Sequence, residues 1–161
     1  MAVMIAVSLV MGGFVFSNIA WSHPDKAQAL AGHMIAGAVI GVLLVIRLIV
    51  RRVTLAPPPA SSGTPTLGIV ARTVHVALYL LVGLMVLSGL TMALRFDLFA
   101  FAFNETGLPV TNGLRGSGLH MVHKIAGFAL LGLIVLHVAA AIYHTFVLKD
   151  GLLSRMWFGP R

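Results

Sequence analysis

The sequence predicts an all-α integral membrane protein, an up-and-down four-helix bundle formed as one domain over residues 1–161. Of its 161 residues, 59% are hydrophobic and only 9% charged, with a mean hydropathy of +1.02. That leaves too little polar surface to cover a water-soluble globule. Four apolar runs, Ala2–Ala20, Leu30–Val50, Leu67–Leu94 and Leu119–Leu148, are each long enough to cross about 30 Å of hydrocarbon. With their flanks, the spans are expected near residues 2–20, 28–52, 67–95 and 117–148.

The first run lacks the positively charged start and small-residue cleavage site of a signal peptide, and is read as a span. In the connection that follows, Trp21-Ser-His-Pro-Asp-Lys, Pro24 discourages helix at His23, and Asp25 suits the cap of the next helix. His23 is therefore expected in a surface loop. Span two opens near Ala27, meets His33 within two turns and ends among Arg47, Arg51 and Arg52. Gly37 and Gly41 form a Gly-x-x-x-Gly pair beyond His33, which allows close approach of either another helix or a flat ring. Arg47, at the far boundary, either reaches out to water or pairs with a cofactor carboxylate. The stretch from Pro57-Pro58-Pro59 through Thr66 is expected to be an extended, non-helical loop. Span three then carries His75, Gly83, Ser88 and Gly89. Phe96, Phe99, Phe101 and Phe103 are placed at the membrane interface, with a short interfacial helix at most, ahead of turns at Asn112-Gly113 and Gly116–Gly118.

Composition also excludes several functions. The chain has no Cys, so disulfides, Cys-ligated iron–sulfur clusters and covalently attached haem are ruled out. Its formal charge of +7 does not point to nucleic acid, because the basic residues flank apolar spans instead of lining a patch. Arg47, Arg51, Arg52 and Arg72 lie between spans two and three, and Lys149, Arg155 and Arg161 follow span four, with Asp150 as the only acid on that side. The positive-inside rule makes that side, and both termini, cytoplasmic in a multi-pass protein of the bacterial inner membrane, with lipid as its surroundings.

Span four holds His120, His123, His137 and His144. His123 and His137 lie fourteen residues apart, which puts them on nearly one face and about 21 Å apart along the axis. Spans two and four run in the same direction, so His33 and His123 reach the same depth, near the outer surface, and can face each other as axial ligands of one six-coordinate iron. His137 stands alone at the inner level. Zinc or copper is the alternative for such a pair, yet structural zinc takes four ligands and no thiolate or carboxylate lies near. A proton path would want buried acids, which spans one to three lack. Haem in the bundle core fits this set most economically. Alone, His75 or His144 reads equally well as a hydrogen-bonded core residue.

The segments AGHMIAGAVIGVLLVIRLIVRR, HVALYLLVGLMVLSGL and HMVHKIAGFALLGLIVLHVAAAIYHTFVLKDGLLSRM resemble the bacterial cytochrome b561 family of four-helix, di-haem membrane proteins. The resemblance covers nearly the whole chain. It implies two non-covalent b haems, the outer ligated by His33 and His123 and the inner by His137. Family members supply the inner partner from a His, often followed by Trp, at the cytoplasmic start of span one. Here Met1 already lies inside the apolar run, so the inner site is one ligand short. The expectation is a native His upstream of Met1; the alternatives are a five-coordinate inner iron or His75 in the sixth position.

The resemblance further implies electron transfer across the membrane, with the quinone pool as one partner and a donor it does not specify. Arg47, His75 and His144 are expected to contact cofactor carboxylates or a quinone oxygen at the inner side. The rival readings are a haem-bearing membrane anchor for a peripheral dehydrogenase and a haem-free anchor or transporter.

Overall fold

The computed structural model describes residues 1–54, 65–103 and 113–149. The expected Pro57–Pro59 loop, Asn112 and the tail from Asp150 onward lie outside these residues. The described chain is helical in five elements: α1 Ala2–Asn18, α2 Asp25–Val53, α3 Pro65–Arg95, α4 Leu98–Phe103 and α5 Gly118–Tyr143, the last extended by a π turn over His144–Leu148. Among the described residues three helices, α2, α3 and α5, are long and apolar enough to span a membrane. α1 is apolar but shorter than the span expected over residues 2–20.

The shortening of α1 has local causes. Its α-helical part, Ala2–Val10, gives way to a π turn over Met11–Val15 and a 3-10 turn over Phe16–Asn18. The Gly12-Gly13 pair sits where the helix widens, and glycine resists such a change least. Beyond it, the Ser17 hydroxyl and the Asn18 amide bond back to the Gly13 and Phe14 carbonyls, each at 2.5 Å. Such bonds compete with helix continuation, and Ile19 is extended.

The other helix ends follow ordinary chemistry, with two departures from expectation. Asp25 lies in the first turn of α2 instead of capping it; its amide donates to His23 Nδ1 at 3.2 Å. α3 begins at Pro65, inside the stretch expected to be non-helical. Proline is compatible there because the first turn needs no amide donor. Asp97, with φ of 51°, separates α3 from α4, and Gly113, with φ of 95°, makes the turn that leads toward α5. Ser117 caps α5 by accepting from the His120 amide at 3.2 Å.

Two buried clusters hold the helices together. At one end Leu30, Met92, Ala93, Leu98, Phe101 and Leu114 pack with Phe16 and Trp21. Near the middle Ile40, Leu44, Val82 and Leu130 pack with Met4, Ile5 and Leu9 of α1. Large apolar side chains such as Leu80, Phe128 and Leu136 are exposed, as expected of a surface that meets lipid. Along α2 and α5, His33 and His123 fall between the two clusters.

Candidate functional site

His33 on α2 and His123 on α5 face each other with ring centroids 6.3 Å apart and planes at 79°. Two metal–imidazole bonds of about 2 Å each, added to the half-widths of two rings, bring ring centres to about this separation. Nδ1 of His33 is buried and has no hydrogen-bond partner, which is costly for a polar atom unless another group completes the site. A small cavity of about 50 Å³ opens beside both rings, bordered by Ser8, Gly37, Met85 and Leu130. Spacing and an orphaned nitrogen together fit a metal held between two imidazoles.

The ring of His123 is oriented from α3. Ser88 is 5% exposed; its hydroxyl donates to the Leu84 carbonyl at 2.6 Å and lies 2.8 Å from His123 Nδ1. A hydroxyl has one proton, so with that proton given to Leu84 the oxygen accepts from His123 Nδ1–H. Nε2 is then left with a free lone pair, the form a metal ligand requires. Ser88 was only one of several small residues on span three in the sequence. Its role depends on a neighbouring helix.

Glycines set the approach of the helices to the two rings. A Cβ on Gly12 would fall 2.7 Å from His33 Cε1, and one on Gly89 would fall 3.3 Å from His123 Cε1. The two members of the Gly-x-x-x-Gly pair have separate roles. A Cβ on Gly41 would fall 3.0 Å from Val86 Cγ1, where the two helices approach closely, whereas one on Gly37 would meet nothing within 4 Å, and Gly37 borders the cavity. Phe16 of α1 stacks on His33 at 6.3 Å, with ring planes 9° apart.

At the other end His75 and His137 come together, with centroids 5.3 Å apart and planes at 69°. This is 1.0 Å closer than the first pair, so the rings touch edge to face. A metal between them would require them to separate by about 1 Å. His75 is exposed and His137 half-buried. Arg47 is exposed; its Nε donates to the Tyr79 hydroxyl at 2.8 Å, and the Arg51 guanidinium lies 5.5 Å from the Tyr79 ring centre. Nothing in the sequence singled out Tyr79. His120 stands one turn before His123, His144 packs against Tyr143 at 6.4 Å, and His23 stays in the connection between α1 and α2.

A model of the prokaryotic cytochrome b561 family matches residues 1–159. The chain belongs to this family. It is therefore a transmembrane b-type cytochrome of electron transport. Among its relatives is cytochrome b561 homolog 2 of Escherichia coli (strain K12), 30% identical over 139 residues that cover 84% of this chain and 72% of that protein. No solved structure matches it significantly.

For a b-type cytochrome of this form, the Ser88 contact carries a testable consequence. If His123 ligates a haem, Ser88→Ala is expected to weaken its retention about tenfold, the lower end of the usual cost of losing a ligand-orienting hydrogen bond. Haem transfer to an excess of apomyoglobin measures this, and Ser88→Thr, which keeps the hydroxyl, should behave as wild type. Equal retention in Ser88→Ala and wild type would mean that His123 needs no such orientation.

Proposed function

We propose that the protein is a di-haem cytochrome b that carries electrons across the bacterial inner membrane and exchanges them with the quinone pool. The observation that carries this reading is the facing pair His33 and His123, 6.3 Å apart around a buried, partnerless nitrogen. These two residues hold the outer haem. Bound haem supplies an iron that cycles between two oxidation states, at a potential set by its ligands and burial.

His137 supplies one ligand of the inner haem, fourteen residues along the same helix from His123. His75 borders it, and Arg47, positioned by Tyr79, stands ready for a propionate or a quinone oxygen. The surrounding bundle keeps water from the outer imidazoles and presents its apolar exterior to lipid. The arginines that close α2 favour a cytoplasmic inner end, with both termini on that side.

A dithionite-reduced minus oxidised visible spectrum, with haem quantified per polypeptide, tests the proposal. Two low-spin b haems per chain are expected. A single haem would remove the inner centre from the reading, and a colourless protein would overturn it altogether.

A further inference from the structure

The outer end of the bundle buries a cation that ligation and packing do not account for. Lys26 is 1% exposed, and with Leu130 it is the largest fully buried side chain among the described residues. An ammonium taken out of water is costly unless other groups meet its charge. Its Nζ donates to the carbonyls of Phe16 at 2.6 Å and Ile19 at 2.9 Å, where α1 ends. It also lies 3.6 Å from the centre of the Phe16 ring and 4.7 Å from that of Trp21, faces that attract a positive charge.

Among the described residues no carboxylate neutralises this charge. Asp25 turns its side chain, 71% exposed, toward His23 at 3.6 Å, and Asp97, the other acid among the described residues, is exposed. Arg115 is a neighbouring cation, and it is exposed to screening. Among the described lysines and arginines Lys26 alone is buried. It stands seven residues before His33 on α2, two turns or about 10 Å away on the same face, and the Phe16 ring that it covers stacks on His33.

We propose that Lys26 tunes the outer centre, a fixed positive charge two turns from His33 that favours the reduced state. The inference rests on the reading of His33 and His123 as haem ligands. A ferric centre carries one more positive charge than a ferrous one, so a buried cation disfavours the oxidised form. At about 10 Å and an effective dielectric constant of about 20, this amounts to about tenfold in the reduction equilibrium, or about 59 mV for a one-electron couple. Electron entry from the outer side is thereby made more favourable, without any contact between Lys26 and the haem ligands.

Spectroelectrochemical titration of the purified protein, with haem per polypeptide measured on the same samples, separates the outcomes. K26M and K26Q should keep the haem content and lower the outer midpoint potential by about 59 mV, while K26R stays at the wild-type value. The Gln variant retains a donor for the Phe16 carbonyl and guards against a Met variant that fails to assemble. Unchanged potentials in haem-replete K26M and K26Q would overturn the proposal. Loss of the outer haem in all three variants, Arg included, would make Lys26 a latch for α1 and overturn its electrostatic role. Absence of haem from the wild type as well would fault the assignment of the ligands instead.

Discussion

His33→Ala and His123→Ala are each expected to abolish the outer haem, leaving about half the wild-type haem per polypeptide and one component in a redox titration. Both imidazoles are needed because the two helices bring no other histidine pair to this separation among the described residues; the remaining close pair is 1.0 Å tighter. Removing His33 also leaves a hole between Gly12 and the cavity, where Phe16 has nothing to stack on. His33→Met offers a control with a ligand of another kind. A Met and His pair on one haem raises the potential, so partial recovery of haem at a higher potential would show that position 33 ligates and does more than pack. A full haem complement and an unaltered spectrum in His33→Ala would reject the pairing.

Gly12→Val should have the next largest effect. Even a Cβ at position 12 would fall 2.7 Å from His33 Cε1, closer than real Cβ contacts essentially ever come, and 3.1 Å from its Nδ1. Either α1 moves away or the imidazole turns, and overpacking of this kind costs about 1–3 kcal/mol. The expected result is loss of the outer haem with the inner component retained, read by difference spectroscopy and by the thermal midpoint of the detergent-solubilised protein. Gly32→Ala serves as the control, since a Cβ there meets nothing within 4 Å. Should Gly12→Val keep both haems and its wild-type melting temperature, α1 does not lie against His33 as described.

Much of the architecture was legible in the chain. Three apolar runs became α2, α3 and α5 because a backbone in hydrocarbon must satisfy its own hydrogen bonds, and helix is the local way to do so. The equal depth of His33 and His123 followed from counting residues along two helices that run the same way. The short helix Leu98–Phe103 was signalled weakly by its aromatic residues, and six residues give little periodicity to read. The limit of α1 was misplaced for a comparable reason. Hydropathy registers an apolar run, but the widening at Gly12-Gly13 and the back-bonds of Ser17 and Asn18 depend on local geometry.

What the sequence by itself determined was the membrane class, the helical elements and the histidines that share a level, since these depend on hydropathy and on a fixed rise of about 1.5 Å per residue. Tertiary structure decided which side chains serve those histidines. Ser88 acts on His123 across thirty-five residues, Tyr79 holds Arg47 across thirty-two, and Lys26 reaches back ten residues to the Phe16 carbonyl. Serine, tyrosine and lysine occur widely for unrelated reasons, so none carries a periodic signal. Their roles follow from the rotation of each helix about its own axis, and that rotation is fixed by packing against the neighbouring helices, which the order of residues along one helix does not encode.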